Sequence, residues 1–533
     1  MLQARRITGP HLLLDGPGAA LELTHEDAAE IRARIGDAIQ ALGWPSPVVR
    51  TRLHQTGTTL AMSAPADQLY TACAVLEWAA TGAGRDDPMW EGVLREQGEE
   101  ANPRLRQALA DAVGPVFSDD DFGLTIGLGC HSQTWPLDQI PATLPVGRRI
   151  PYAFVTGTNG KTTTTRMLRH IAQAAGYTPG WTSSDAYGVG DQVVESGDWT
   201  GPGAARRVLR HPEVDLAILE TARGGLLRRG LVMGGADAAA VTNVSSDHLG
   251  EWGIHSVTDM ALAKLSIAFG VREGGTLVLN RSDAHWREAL ELAVQPRRPD
   301  LRVRFFADNA DDTLDAWADD RSLHVAGRVI PLSEVPMSFD GTARHNVENA
   351  LAAALLAEAL GISGDAIQAG LGSMVPSMAS SRGRMNRYQL PNGALALVDF
   401  AHNPAGVLRV GQTAASWPAR RRMLLLGQAG DRTDEDLLAL ATAVAELDLD
   451  TVVLKSMPAY NRGRPLGEVR QIMRQGLVSA GFSSTRIVEC ASEAEGIAHL
   501  LSASEDGDLL LLLVQADLDA AIAQLDRMGA SAL

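Results

Sequence analysis

The 533-residue chain has few cysteines and no apolar segment long enough to cross a membrane. Its three cysteines, Cys73, Cys130 and Cys490, lie far apart without metal-ligand spacing, which suits a reducing compartment. No run approaches the roughly 20 apolar residues that a bilayer requires. The first residues also lack the apolar stretch and cleavage site of a signal peptide. These absences predict a cytoplasmic protein with no membrane partner.

Cys130 and His131 are adjacent and could act as a nucleophile and a base. Neighbouring residues in an extended strand point to opposite faces, so the two side chains would not face each other. The sequence therefore favours a buried structural pair over a catalytic one.

Basic residues are also fewer than acidic ones, with 47 Lys and Arg against 64 Asp and Glu. The formal net charge is −17, which argues against a nucleic-acid partner, because phosphate backbones bind basic surfaces. A cationic or zwitterionic small substrate remains compatible with this charge.

The pattern of apolar segments divides the chain into four parts. Residues 1–115 mix short strand-like pieces with helical stretches and predict an α+β domain, and residues 116–149, rich in Asp, Gly and Pro, predict a connector. From residue 150 apolar strands alternate with helices, as in a doubly wound α/β sheet. This series predicts a central domain over 150–385, and a second series predicts a C-terminal α/β domain over 386–533.

The central domain begins with a strand, a glycine-rich turn and a helix, the context of a phosphate-binding loop. The loop residues are Gly157, Thr158, Asn159, Gly160, Lys161, Thr162 and Thr163. Backbone N–H groups and the helix N-terminus would face phosphates. Lys161 would neutralise phosphate charge, and the Thr162 hydroxyl would bind Mg²⁺. The commoner, longer motif would require glycine at position 155, where this chain has Val155.

The segment TGTNGKTTT resembles the loop of the Mur ligase family, whose members use ATP to form amide bonds. Two later segments extend the resemblance: LETARGG contains Glu220, and TNVSSDHLG contains His248. The resemblance implies that Glu220 holds a Mg²⁺ and that His248 binds a second metal ion, although His248 on its own could equally be structural. It also implies that Lys264 could carry a CO₂-derived carbamate, although a plain amphipathic-helix lysine remains the alternative.

Further segments match the family in the same order along about 300 residues. RHNVENALAA contains His345, Asn346 and Asn349, which the resemblance places at the adenine, although the three could equally cap a helix. SSRGRMN contains Arg384, VDFAHNPAG contains Asp399 and His402, and GQAGDRTDED contains Asp431. The resemblance implies that Asp399 binds the ribose, that His402 lines the cleft, and that Arg384 and Asp431 complete the nucleotide site. It therefore predicts a P-loop central domain followed by a Rossmann-like domain.

The stretch from Gly197 to Leu231 is more specific, because it closely resembles the Mur-ligase-like half of cyanophycin synthetases. Those enzymes also contain an ATP-grasp domain that builds an aspartate backbone. Residues 116–149 leave no room for such a domain after the N-terminal region. The sequence therefore predicts the N-terminal domain joined directly to the Mur-like half, without synthesis of the backbone.

The predicted reaction joins a carboxylate substrate to an amino acid or another amine through an acyl phosphate, and it releases ADP and phosphate. Ser183, Ser184 and Asp185 fall where the family's first-substrate loop lies, although a polar surface loop is equally compatible. Arg223 could recognise an anionic acceptor. The alternatives are a non-catalytic nucleotide-binding protein and a P-loop kinase or NTPase. A homo-oligomer is left open.

Overall fold

The computed structural model describes residues 3–24, 28–45, 47–119, 121–246 and 249–533. The chain divides into two compact units. The first comprises residues 1–319, 323–329 and 348–370, and the second comprises residues 320–322, 330–347 and 371–533. The predicted division at residues 115, 149 and 385 remains a prediction.

The N-terminal region of the first unit is a four-stranded antiparallel sheet covered by helices. Its strands are β1 (Arg5–Ile7), β2 (Gly18–Leu23), β3 (Val49–His54) and β4 (Gly57–Ser63), in the order β1-β2-β4-β3. Its helices are α1 (Ala29–Leu42), α2 (Leu69–Thr81), α3 (Pro88–Glu100) and α4 (Pro103–Asp111). Leu21, Leu60, Leu76 and Trp78 belong to one buried core between the sheet and the helices. Strands β3 and β4 form a hairpin in which His54 is opposite Gly57.

Three short strands follow within residues 116–135. They are β5 (Val116–Asp119), β6 (Gly123–Ile126) and β7 (Gln133–Trp135), and they pair in chain order. Cys130 lies between β6 and β7 in a short 3₁₀ turn and is exposed. The prediction of a buried Cys130–His131 pair was wrong, because it assumed an extended strand at a position where the chain turns.

The central sheet has eleven strands in the order β11-β10-β9-β12-β8-β13-β14-β15-β16-β17-β18. The strands are β8 (Tyr152–Thr156), β9 (Pro179–Thr182), β10 (Ala186–Val189), β11 (Gln192–Ser196), β12 (Leu216–Glu220), β13 (Ala236–Val241), β14 (Val271–Asn280), β15 (Arg302–Ala307), β16 (Ala316–Ala318), β17 (Ser322–Val325) and β18 (Arg328–Pro331). The helices are α5 (Lys161–Ala174), α6 (Pro202–Arg210), α7 (Arg223–Arg229), α8 (Val257–Leu265), α9 (Trp286–Ala289), α10 (Arg344–Ala359) and α11 (Gly364–Ser373).

Strand β8 lies inside the parallel part of this sheet, and β12 and β13 pair with it on opposite sides. Every residue of β8 and of β12 is buried, which is the pattern of parallel strands covered on both faces. The chain after β8 therefore leaves the sheet at its carboxyl edge, between β12 and β13. Such a position is where open α/β sheets place ligands.

The second unit contains a seven-stranded sheet in the order β23-β22-β21-β24-β20-β19-β25. Its strands are β19 (Asn386–Gln389), β20 (Leu395–Asp399), β21 (Arg422–Leu426), β22 (Thr451–Lys455), β23 (Ile487–Cys490), β24 (Leu509–Leu513) and β25 (Ser531–Ala532). Its helices are α12 (Pro404–Ala415), α13 (Asp434–Ala445), α14 (Glu468–Ser479), α15 (Glu493–Ala503) and α16 (Leu518–Arg527).

Alternate residues of the central strands in this sheet supply two separate cores. Leu424 and Leu426 of β21 belong to a core with α12, α13 and α14 residues. Met423 and Leu425 of the same strand belong to another core that includes residues of α15 and α16. The parallel strands from β23 to β20 thus carry helices on both faces, which is a doubly wound arrangement. The predicted multidomain α/β fold class is confirmed.

Among the described residues, none of the helices combines the length and the apolar character needed to cross a bilayer.

Candidate active site

The loop between β8 and α5 can be formed only with glycine at two positions. Gly157 has φ +153° and Gly160 has φ +85°, values that other residues rarely adopt. A Cβ at Gly157 would lie 1.8 Å from Oγ1 of Thr242, and one at Gly160 would lie 2.2 Å from Oδ1 of Asn349. The loop is therefore packed tightly against two other segments of the same unit.

Asn243, which follows β13, fixes the middle of this loop. Its Oδ1 accepts a hydrogen bond from the Asn159 N–H (2.9 Å), and its Nδ2 donates to the Asn159 carbonyl (3.0 Å). Its own carbonyl accepts from the Thr158 N–H (2.9 Å), and the Thr242 hydroxyl donates to the Asn159 carbonyl (2.6 Å). These bonds orient the backbone of the loop before any ligand binds. Motif reasoning did not select Asn243, although it lies inside the quoted segment TNVSSDHLG.

Lys161 is the first residue of α5. Its Nζ donates to the carbonyl oxygens of Gly157 (3.1 Å) and Thr158 (2.9 Å), so the ammonium group lies across the loop. The first N–H groups of a 14-residue helix point in the same direction as the positive end of its dipole. Ammonium group, helix terminus and loop backbone together form a site suited to phosphate.

Two of the predicted metal-binding residues are buried at this edge of the sheet. Glu220 is the last residue of β12, pairs in register with Val155 of β8, and is 2% exposed. Thr162 is also buried, and its hydroxyl lies 3.2 Å from that of Ser184. A carboxylate and a hydroxyl are oxygen donors of the kind that Mg²⁺ prefers. The register places Glu220 beside the strand that leads into the phosphate loop.

Two further residues, Lys264 and His248, were predicted to lie near the metal, and the structure describes the first of them. Lys264 is buried in α8, with 4% of its surface exposed. His248 lies outside the described residues, as does Asp247 before it. Within the described ranges, no group of three or more His, Cys, Asp or Glu side chains has the arrangement of a metal site.

The predicted substrate residues 183–185 form an ordered turn. The Ser183 hydroxyl accepts the N–H groups of Asp185 (3.2 Å) and Ala186 (3.1 Å). The Asp185 carboxylate pairs with Arg166 of α5 at 2.7 Å. Ser184 is the member of this group that reaches the phosphate loop, through the Thr162 hydroxyl.

Arg223 opens α7, three residues after Glu220. Its Nη2 lies 2.7 Å from Oε2 of Glu251, and its own side chain is 9% exposed whereas that of Glu251 is 62% exposed. The predicted anion-recognising guanidinium is therefore bound to a carboxylate of the same chain.

The three residues at the start of α10 make different contacts. Asn349 accepts a hydrogen bond from the Thr164 hydroxyl of α5 (3.3 Å) and closes against Gly160. Asn346, in the second unit, donates to the Met337 carbonyl (2.9 Å). Burial, with a contribution from Arg409, lowers the pKa of His345 from 6.5 to about 3, so its ring is neutral at physiological pH.

In the second unit, Asp399 ends β20 and is buried. Its carboxylate accepts the N–H groups of Met385 (2.9 Å) and Ala401 (2.8 Å). Burial raises the pKa of Asp399, against the opposing effect of Arg384 and of these N–H groups. The Arg384 guanidinium lies over the Phe400 ring at 4.6 Å. This cluster is ordered around the end of β20, with Arg384 held beside the carboxylate.

His402 and Asp431 belong to loops at the same carboxyl edge of this sheet. The ring of His402 packs edge-on against Phe400, with centroids 5.3 Å apart. Asp431 is exposed, in a loop whose neighbouring carbonyl at Gly430 accepts from Arg464 (2.9 Å). The structure thus brings His402, Arg384 and Asp399 into one neighbourhood of the second unit.

A braced phosphate loop in a doubly wound sheet, followed by a second α/β sheet, defines a multidomain α/β nucleotide-binding protein. Two segments match family models: residues 155–357 match the Mur ligase middle domain, and residues 383–513 match the Mur ligase, glutamate ligase domain. The chain belongs to the Mur ligase family. Members of this family are ATP-dependent ligases that form amide bonds, and they generally use ATP and Mg²⁺.

Individual relatives agree with this assignment. The cyanophycin synthetase of Nostoc sp. is 37% identical over 344 residues, which are 62% of this chain and 37% of that protein. The chain thus matches little more than a third of the length of that relative. The UDP-N-acetylmuramoyl-L-alanyl-D-glutamate–2,6-diaminopimelate ligase of Geobacter sulfurreducens is 25% identical over 395 residues, covering 68% of this chain and 73% of that enzyme. The crystal structure of MurF from Acinetobacter baumannii has the same fold, with a TM-score of 0.52 at 20% identity over 71% of this chain and 77% of that one.

Proposed function

We propose that this chain is an ATP-dependent ligase that joins a substrate carboxylate to the amine of an amino acid or a similar compound. The observation that carries the proposal is the loop at 157–161, with Lys161 across it and Asn243 bracing it. Family membership supports it, since amide ligation by way of ATP is the chemistry of the family. The expected products are an amide, ADP and phosphate.

In the proposed reaction, a carboxylate oxygen attacks the γ-phosphorus of ATP, and the bond to the β-phosphate oxygen breaks, leaving ADP. An amine nitrogen then attacks the acyl carbon, loses a proton and expels phosphate. Lys161 and the N–H groups at the start of α5 offset the negative charge that gathers on the γ-phosphate. Because the backbone of the loop is already fixed by Asn243 and Thr242, little reorganisation is needed when ATP binds.

Mg²⁺ fits the oxygen donors at the carboxyl edge of β8 and β12. Thr162 and Glu220 would hold it, and the family resemblance implies that His248 would hold a second metal ion. When bound, Mg²⁺ would supply charge neutralisation to the phosphates. Lys264, buried in α8, is the residue at which the family resemblance allows a carbamate, with an unmodified lysine as the alternative. NMR with ¹³C-labelled bicarbonate, with Lys264→Arg as the comparison, would distinguish the two.

Several further features of the proposal come from the sequence. We retain residues 150–385 and 386–533 as the two ligase domains, with residues 1–115 as a separate N-terminal domain. We also propose that Asp399, Arg384 and Asp431 bind the nucleotide and that Ser184 contributes to the carboxylate site. A cytoplasmic location remains a prediction, and a homo-oligomer is left open. The family resemblance suggests an aspartyl carboxylate as one substrate and arginine or another amino acid as the other.

The proposal is tested by measuring ADP release across paired carboxylates and amines, with mass spectrometry of the product. Release that requires both partners, together with a product of their summed mass less water, supports a ligase. Release that requires only a hydroxyl acceptor would favour a P-loop kinase. ATP binding without turnover for any pair would favour a non-catalytic nucleotide-binding protein.

Lys161→Ala should abolish turnover because the charge at the γ-phosphate is then uncompensated. Arg32→Ala is a suitable control, because Arg32 is an exposed cation of α1 in the N-terminal region. Turnover by Lys161→Ala equal to that of the control would remove Lys161 from the site.

A further inference from the structure

The β3–β4 hairpin of the N-terminal region contacts the segment that follows His248 in the chain. This segment, here called the 249–256 turn, is crossed by the guanidinium of Arg52 from β3. Nη2 of Arg52 donates to the carbonyls of Trp252 (3.3 Å) and Gly253 (2.8 Å). Nη1 of the same side chain donates to Oδ1 of Asp259 (3.0 Å), at the start of α8. One partly buried guanidinium therefore binds both the turn and the following helix.

Gly253 shows how closely the hairpin and the turn approach each other. A Cβ at this position would lie 2.6 Å from Nη2 of Arg52 and 2.6 Å from Cδ2 of His54. The residue also has φ +69°, in the left-handed region that favours glycine. The contacts leave no space for a side chain between the turn and the hairpin, and the positive φ separately disfavours any residue other than glycine.

Asp259 connects the turn to the helix that carries Lys264. Its Oδ2 accepts the N–H groups of His255 and Ser256, both at 3.0 Å, and the Ser256 hydroxyl caps the Asp259 N–H in return. This reciprocal arrangement fixes the first turn of α8. Arg52 uses the other oxygen of the same carboxylate, so the hairpin is attached directly to the helix start.

The opposite side of the turn is attached to α7. Glu251 pairs with Arg223 at 2.7 Å, and α7 follows the strand that ends at Glu220. Arg5 adds a contact from β1, with its guanidinium 4.6 Å from the centre of the Trp252 ring. The turn therefore contacts α7, the helix that follows Glu220, on one side and the N-terminal sheet on the other.

We propose that Arg52 is a positioning residue through which the N-terminal region orders the metal side of the active site. This inference rests on the proposed function, because the metal roles of Glu220, His248 and Lys264 are part of that function. In this role Arg52 acts through the turn and not by contact with substrate or nucleotide. It orders the 249–256 turn and the start of α8, which flank His248 and carry Lys264 in sequence. The N-terminal region would therefore contribute to metal binding without contributing a ligand.

Arginine is required at this position for geometric reasons. Its planar fork presents separate N–H groups to a carboxylate and to two carbonyls, whereas a lysine presents one compact ammonium group. Arg52→Lys should therefore keep part of the ordering of the 249–256 turn, and Arg52→Ala should lose it. Arg50→Ala is a matched control on the same strand, because the Arg50 guanidinium binds Asp15 and the Leu13 carbonyl instead of residues of the turn.

The first measurement is amide hydrogen exchange of peptides covering the turn. The N–H groups of Gly250 and Ile254 are bonded within the turn, and those of His255 and Ser256 are bonded to Asp259. We expect faster exchange at these four positions in Arg52→Ala and Gly253→Ala, with little change in Arg50→Ala. Unchanged exchange in Arg52→Ala would overturn the proposal. Because Gly253→Ala could prevent folding, Arg52→Lys supplies the second variant and should show an intermediate rate.

The second measurement is Mn²⁺ binding, followed by electron paramagnetic resonance with a non-hydrolysable ATP analogue. Loss of an outer contact that orders a metal site typically weakens metal binding by about 10–100-fold, and we expect a loss in this range for Arg52→Ala. Faster exchange with unchanged Mn²⁺ binding would reduce Arg52 to a structural residue and overturn the positioning role. Neither measurement requires turnover. Failure of the wild-type chain to turn over ATP would therefore count against the ligase proposal alone.

Discussion

Oδ1 of Asn349 occupies the place that a side chain at Gly160 would need, only 2.2 Å from the position of an added Cβ. Helix α10 therefore packs against the phosphate loop at the residue that immediately precedes α5. Gly160 is required for two separable reasons, its φ of +85° and this contact. The two reasons make different predictions for substitution.

Gly160→Ala should lose ATP binding and should be less stable than the wild-type chain. Gly176→Ala is the matched control, since Gly176 follows the same helix with φ +87° and nothing lies within 4 Å of its added Cβ. The left-handed conformation alone costs an L-residue about 1–2 kcal/mol, so Gly176→Ala should show only that loss. The free energy of unfolding and the affinity for an ATP analogue are the measurements.

Adding Asn349→Ala to Gly160→Ala should restore stability towards that of Gly176→Ala, because the collision is removed while the strain remains. Equal stability of the two glycine variants from the outset would show that the contact with Asn349 is unimportant.

Glu220→Gln should lower kcat with little change in folding. The substitution keeps the shape of the side chain at the end of β12 but removes its charge, and losses of about 10²–10³-fold are typical when one group that stabilises transition-state charge is removed. Glu195→Gln is the control, because Glu195 lies on the exposed edge strand β11 of the same sheet. Thermal unfolding of both variants checks the fold, and a kcat for Glu220→Gln equal to that of the control would remove Glu220 from the site.

The fold class could be predicted because buried parallel strands such as β12 appear in the sequence as short apolar runs separated by helical patterns. The phosphate loop could be predicted because its residues are contiguous. The support from Asn243 could not, because it lies 84 residues from Asn159 and a lone asparagine carries no pattern. The pairing of Arg223 with Glu251 was missed for the same reason. Exposure of Cys130 depends on a local 3₁₀ turn that apolar periodicity does not reveal.

Lys455 should not tolerate arginine, although the charge is retained. Its Nζ, fully buried at the end of β22, donates to the Glu493 carboxylate, to the Leu513 carbonyl and to Oε1 of Gln515. Burial lowers the pKa of Lys455 to about 8, against the opposing effect of Glu493. A planar guanidinium is too large for this compact site, so Lys455→Arg should destabilise the second unit.

Lys455→Met should also destabilise that unit, because removing one partner of a buried ion pair typically costs about 3–5 kcal/mol. The free energy of unfolding is the measurement, with Arg382→Met as the control, since the Arg382–Asp519 pair is exposed. Combining Lys455→Met with Glu493→Gln should cost less than the sum of the two single changes. Strict additivity would show that the two side chains do not act as a pair.

Acid should weaken the attachment of the N-terminal segment to α7 through His11. Its Nε2 lies 3.1 Å from the Leu227 carbonyl and its Nδ1 accepts the Leu13 N–H at 3.2 Å, so the neutral ring carries its proton on Nε2. Burial, followed by the charge of Arg5, lowers the pKa of His11 from 6.5 to about 3. Protonation would put a proton on Nδ1 of His11, so two N–H groups would face each other and the hydrogen bond from Leu13 would be lost.

The folded-state pKa of His11 is below its unfolded value, so its contribution to stability is complete above pH 6.5 and is lost as the pH falls towards 3. The loss is about 1.4 kcal/mol per pH unit within that window. His11→Gln should be less stable than wild type at neutral pH, because it cannot make both hydrogen bonds, but it should lack this dependence. Urea unfolding of the two proteins across the window should therefore give curves that converge as the pH falls. Parallel curves would show that His11 takes up its proton in the folded chain, and the neutral tautomer assigned from Leu227 and Leu13 would then be wrong.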